Sequence, residues 1–174
     1  AINFGIVYGI SGFGLARQLS IPQSEARDYI ATYLDRFPGI RTYMNDAREF
    51  AREHLYVETL FGRRIHIEQI GASNQAMRGF SERQAINAPI QGSAADIIKR
   101  AMVCLPEELS AQGLAADMLL QVHDELIFEV PEKQAEQSVQ LIKSVMENAA
   151  LPIVQLSVPL VVDAGIADSW SEAH

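Results

Sequence analysis

Three consecutive ionisable residues, His123-Asp124-Glu125, lie between two apolar runs, Met118–Val122 and Leu126–Phe128. Adjacent carboxylates are hard oxygen donors, suited to Mg²⁺ or Mn²⁺. Short apolar runs without strict alternation read as strands covered on both faces. Residues 117–131 are therefore expected to form a buried β-hairpin. Its tip would lift an imidazole and two carboxylates out of the core, and a rigid tip suits catalytic groups. A charged turn is the alternative.

Two further sets carry chemistry. Arg83, Asn87 and Gln91 are spaced i, i+4, i+8 and form one row if a helix continues past Pro89. Amides and guanidinium can reach the minor-groove acceptors, purine N3 and pyrimidine O2, that every base pair presents. The row could touch DNA without choosing a sequence; a plain polar helix face is the alternative. Phe4 and Tyr8 are four apart, each followed by a glycine, Gly5 and Gly9. Such a face could stack on a base or sugar, or form an ordinary core pair.

These residues need elements to hold them. The apolar pattern is under way from residue 1 with no capping signal, as in a helix entered midway. A short helix is expected over Gly12–Leu19. Ser20-Ile21-Pro22-Gln23 reads as the cap of a helix running to Phe37, with proline in its first turn. Pro38-Gly39 breaks it, and the stripe Ile40, Tyr43, Met44, Ala47, Phe50, Ala51 and Leu55 marks a second amphipathic helix. Tyr56–Ile67 reads as a hairpin with a glycine turn. A long helix from Gln75 to about Leu105, interrupted near Pro89, carries the polar row. Pro106 opens a further short helix that closes near Gly113. After the carboxylate hairpin, Pro131-Glu132 starts a last helix that Pro152 ends. Val158–Ile166 is a final strand, with Pro159 near its start.

A chain of 174 residues, 48% hydrophobic, can bury a real core. No apolar run reaches the roughly 18 residues of a membrane span, and no secretory signal is expected. Cys104 is the single cysteine, so a reducing compartment is the default. The net charge of -8 argues against a freestanding non-specific nucleic-acid binder. Between Leu60 and Arg100, however, Arg63, Arg64, Arg78, Arg83, Lys99 and Arg100 outnumber Glu68, Glu82 and Asp96. That strip could meet phosphates or be a solvated surface.

Taken together, the motifs resemble the C-terminal fingers and palm part of the family A DNA polymerases, the family of bacterial DNA polymerase I. Asn3-Phe4-Gly5 with Tyr8-Gly9 is similar to the downstream half of motif B, and Tyr56–Arg64 to the family's hairpin. Asn87-Ala88-Pro89-Ile90-Gln91-Gly92 with Asp96 is similar to the long palm helix, and Gln121–Glu125 to motif C. Ser169-Trp170 to His174 resembles the family's C-terminus. The likeness covers essentially the whole chain, with several motifs in the family's order.

The resemblance implies an α+β fold, mostly helical, with a small antiparallel palm sheet built from the 117–131 hairpin and the 158–166 strand. Residues 1–60 would belong to the fingers and 61–174 to the palm. It implies a DNA-directed DNA polymerase of replication and repair, cytoplasmic in a bacterium. Asp124 would be the motif C metal ligand and Glu125 an accessory carboxylate, serving two Mg²⁺ ions, with Mn²⁺ as a substitute. His123 would lie near the primer terminus. Phe4 would pack on the incoming nucleotide's sugar, and Tyr8 would stack near the nascent base pair. Phe rather than Tyr at position 4 implies discrimination against dideoxynucleotides. Arg83, Asn87 and Gln91 would touch primer and template.

The chain departs from the family pattern. Motif A, with its metal-binding Asp, has no equivalent in the 174 residues. The Arg and Lys upstream on the fingers helix and the thumb are likewise outside them. The partners expected are therefore primer–template DNA, deoxynucleoside triphosphates and the N-terminal part of the same polymerase, with no membrane. The isolated chain is expected to be inactive and marginally stable. A non-catalytic DNA-binding module and a metal-dependent nuclease are the competing functions.

Overall fold

The computed structural model describes residues 2–173. Ala1 and His174, the ends of two segments singled out above, lie outside the described residues. The chain divides into two compact units, residues 1–93 and 94–174. Among the described residues no helix is long and apolar enough to cross a membrane.

The first unit begins with four helices: α1 (Ile2–Val7), α2 (Gly12–Leu19), α3 (Gln23–Arg36) and α4 (Pro38–His54). Ser11 caps α2, its hydroxyl accepting the Gly14 N–H at 3.1 Å. Ser20 does not cap α3 as the sequence pattern suggests. It takes a left-handed conformation and closes α2, and Pro22 occupies the N-cap of α3 with no side-chain bond. Pro38 occupies the first turn of α4, where its missing N–H costs nothing. Leu15, Ala16 and Ala26 bury the α2–α3 contact.

Strands β1 (Tyr56–Glu58) and β2 (Arg64–His66) pair antiparallel, with Val57 opposite Ile65. Gly62 takes φ +78 in the connection, as the expected glycine turn requires. This hairpin packs on α4 and α5 through Ala51, Val57, Ile67 and Ala85.

Helix α5 is continuous over Gln75–Ala111. Asn74 caps it, accepting from the N–H groups of Ala76 and Met77. The expected second helix at Pro106 is a correction: α5 passes through that proline. An interior proline costs about 3 kcal/mol. Ala101, Leu105 and Leu109 continue one buried stripe across it, and burying the two leucines contributes about 1.5–3 kcal/mol each. Burial therefore outweighs the break. At Pro89 the helix also continues. There Ser93 donates its hydroxyl to the Pro89 carbonyl at 2.6 Å and accepts the Leu60 N–H at 2.9 Å, tying the β1–β2 turn to α5.

The second unit holds the rest of α5, strands β3 (Asp117–Val122) and β4 (Glu125–Glu129), and α6 (Ala135–Glu147). Its core is Ala101, Leu105, Leu109, Leu114 and Ile142, with Met118, Leu126 and Phe128 of the hairpin packed against it. A short 3₁₀ turn over Glu132–Gln134 precedes α6, which ends well before Pro152. Cys104 is exposed on α5.

Two expectations about this sheet are corrected. The hairpin is covered on one face rather than two. A bulge between Met118 and Leu120 makes Leu119 the extra residue. Leu119 is 55% exposed and Leu120 is also exposed. The unbroken apolar run thus reflects a bulge and an open second face. Residues 158–166 form no strand among the described residues, and the two sheets hold two strands each. Val158, Val161 and Ile166 are exposed. A strand needs a ladder partner, and here the Val162 N–H bonds the Glu147 carboxylate instead. The α+β class itself stands.

Candidate functional site

In the first unit, α1 brings Phe4 and Tyr8 onto one face with ring centroids 6.2 Å apart. They are not core: Phe4 is 68% exposed and Tyr8 half-buried. Ile6, on the opposite side of the helix, is buried and anchors it. The helix ends in a Schellman arrangement: Gly9 N–H bonds Ile6 O at 2.9 Å, and Ile10 N–H bonds Gly5 O at 2.8 Å. Gly9 takes φ +79, and a Cβ there would lie 3.2 Å from Ile86 Cδ1 and 3.4 Å from Arg83 Cγ. The missing side chain thus lets the aromatic helix end close against the turn of α5 that carries Arg83. Gly5 opens no comparable path, since Ile10 of its own chain covers it.

Because α5 continues through Pro89, the row Arg83, Asn87, Gln91 stays in register. All three line a cleft of about 260 Å³, together with Ile65, Phe80 and Gln84. The Asn87 Oδ1 is buried and has no hydrogen-bond partner, which is costly unless something donates to it. The basic strip is largely structural. Arg64 bonds Glu58 at 3.0 Å, Arg78 the Ala72 carbonyl, and Arg100 the Ala149 carbonyl. Arg63 bonds the Gly92 carbonyl. Arg83 makes no hydrogen bond or ion pair among the described residues, so the cleft holds an uncommitted guanidinium.

The sequence patterns place Tyr43 only in the apolar stripe of α4 and do not single out Phe80. The Tyr43 hydroxyl donates to the Ile86 carbonyl at 2.6 Å. Burial pushes its pKa up from 10.0 to about 12. Phe80 lies three residues before Arg83 and so shares its face; the i, i+4 row continued by one step reaches Gly79 instead.

In the second unit, His123 and Asp124 form a two-residue turn between Val122 and Glu125, which are register partners. His123 takes φ +52. Such turns favour Gly, Asn or Asp at positive φ, and a left-handed non-glycine residue costs about 1–2 kcal/mol. Gln121 supports the turn by donating its side-chain amide to the His123 carbonyl at 2.8 Å. Strain held in this way is characteristic of functional turns. Asp124 and Glu125 are exposed. Among the described residues no group of three or more His, Cys, Asp or Glu side chains is placed to hold a metal. Two neighbouring carboxylates at an exposed tip nonetheless fit Mg²⁺, which keeps waters and takes one or two carboxylates plus substrate phosphates.

A sequence model described as DNA polymerase family A matches residues 1–172. The chain belongs to DNA polymerase family A. It is 59% identical over its whole length to DNA polymerase I of Rhizobium leguminosarum and 51% identical to that of Pseudomonas aeruginosa. It spans 17% and 19% of those two proteins. Among solved structures, the POL domain of Pol1 from M. smegmatis, in complex with DNA primer-template and dNTP, matches with TM-score 0.92 and 44% identity. That match covers 99% of this chain and 30% of the other. The family resemblance seen in the motifs and the α+β class agree with these findings.

Proposed function

We propose that this chain supplies motif C, the long palm helix and the distal fingers helix of a template-directed DNA polymerase. Such an enzyme adds deoxynucleotides to a primer 3′-hydroxyl. The observation that carries the reading is the strained, exposed His123-Asp124-Glu125 tip in a family A chain. The M. smegmatis relative, described with primer-template and dNTP, supports it.

Asp124 and Glu125 would hold the divalent metal, Mg²⁺ or Mn²⁺. Held by these carboxylates together with the motif A Asp of the N-terminal part, two ions would activate the 3′-hydroxyl and offset charge on the transferring phosphoryl group. Phe4 and Tyr8 offer exposed ring faces to the nucleotide sugar and the nascent base pair. Arg83, Asn87 and Gln91 touch primer and template, the two amides donating to minor-groove acceptors, and His123 adjoins the primer terminus. Residues 1–60 are assigned to the fingers and 61–174 to the palm, with the β1–β2 hairpin at the junction. The setting is the bacterial cytoplasm.

The second metal-binding Asp of motif A is not among these residues, so the 174-residue chain alone is inactive in this reading. The remaining N-terminal part of the polymerase is then its partner. Primer extension with Mg²⁺ tests both statements. The full-length protein should extend a primer by template, and the chain alone should not. Templated incorporation by the isolated chain would overturn the inactivity. Metal-dependent nucleotide release by the full-length protein, without templated addition, would replace the polymerase reading with a nuclease.

A further inference from the structure

We propose that Phe80 is a stacking platform for one unpaired nucleotide of the template strand, with Arg83 holding the adjoining phosphate. This rests on the polymerase reading and deepens it. Phe80 is 55% exposed on α5 and lines the same cleft as Arg83, Asn87 and Gln91. A phenyl ring so exposed contributes little to the core, and its i, i+3 relation to Arg83 places both on one helix face. Gly79 lies beneath: a Cβ there would be 3.8 Å from the Arg83 Nη1. The guanidinium therefore folds back along the helix over Gly79, the residue before Phe80.

The cleft thus combines an aromatic face and an uncommitted cation. Duplex DNA presents only base edges in its grooves. An unpaired base presents its face, and aromatic stacking on that face is tolerant of sequence. A flanking phosphate suits the guanidinium. On a primer–template, unpaired bases lie in the template ahead of the primer terminus. A cleft of about 260 Å³ suits a single base rather than a helix.

The test uses the full-length protein at one fixed salt concentration, since phosphate contacts depend on salt. Fluorescence anisotropy compares a primer–template with an intact overhang against one whose first unpaired template nucleotides are abasic. The wild type should bind the intact overhang about 5- to 100-fold more tightly. Phe80→Ala and Phe80→Leu should lose that preference, and Phe80→Trp should keep it. The exposed position makes misfolding of these variants unexpected, and their thermal midpoints check this. If Phe80→Ala retains the preference, the inference fails. If the wild type extends primers yet binds both DNAs equally, the inference fails while the polymerase reading stands. If the wild type neither binds nor extends primer–template, both fall.

Discussion

The hydroxyl of Tyr43 donates to the carbonyl oxygen of Ile86 at 2.6 Å, one residue before Asn87. This bond ties α4 to the turn of α5 that bears the polar row. Pro89 contributes no N–H to the helix ladder nearby, so side-chain bonds around it steady the row. Tyr43→Phe should cost about 0.5–1.5 kcal/mol at neutral pH, read as a lowered urea midpoint with unchanged slope.

The same tyrosine predicts a pH dependence with a definite sign. Burial raises its pKa from 10.0 to about 12. Below 10.0 both the folded and unfolded chains keep the phenol neutral, and its contribution is whole. Between 10.0 and about 12 the unfolded chain ionises while the folded chain resists, so stability falls as pH rises. Tyr43→Phe cannot titrate there. The gap between wild type and variant should therefore shrink across this window in paired urea titrations. A constant gap would mean that Tyr43 does not titrate as its burial requires.

Gly92 is the close contact between the β1–β2 hairpin and α5. A Cβ there would lie 2.7 Å from Thr59 Cγ2 and 2.9 Å from Ile65 Cδ1. Both neighbours are β-branched and stiff, and Thr59 is buried. Gly92→Ala should thus destabilise by about 1–3 kcal/mol despite alanine's better helix propensity. A rise in the thermal midpoint would show that the hairpin yields without cost.

Which features were legible follows from the range of the interaction behind each. The Arg83, Asn87, Gln91 row depends on helical period alone, and it survives Pro89. The glycine turn at Gly62 is a local backbone requirement, so it too was readable. Pro106 misled because a local penalty was weighed without the burial of Leu105 and Leu109 against distant partners such as Ile142. Residues 158–166 have strand composition, but a strand exists only with a ladder partner. The bulge at Leu119 erased the alternation that would have marked one open face. His123 gave no sign in the sequence that it would hold a positive φ. Phe80 passed unnoticed because no pairing rule links an aromatic to a polar row.

Ser138 lies at 0% exposure in α6, and its hydroxyl has no hydrogen-bond partner. A buried, unsatisfied hydroxyl costs about 1–3 kcal/mol, and serine is a weaker helix former than alanine. Ser138→Ala should leave a cavity of only one oxygen and stabilise the protein by about 1 kcal/mol. Denaturant unfolding checks the sign, and a loss of stability would mean that the hydroxyl is solvated or bonded in solution.

Asp124 separates chemistry from folding most cleanly. It is exposed and follows His123 in a turn already held by Gln121 and the Val122–Glu125 pair. Removing its carboxylate therefore leaves the hairpin's packing, through Met118, Leu126 and Phe128, untouched. Asp124→Ala and Asp124→Asn in the full-length protein should both keep the thermal midpoint. Both should also keep primer–template affinity roughly unchanged, since the DNA contacts are assigned to other residues. Extension should nonetheless fall by on the order of 10²- to 10³-fold or more, the scale on which a lost electrostatic partner of the transition state is felt. The asparagine variant matters because it preserves volume and removes only the charge. If it extended primers at near-normal rates, the charge at position 124 would not be holding a metal, and the tip would revert to an exposed charged turn.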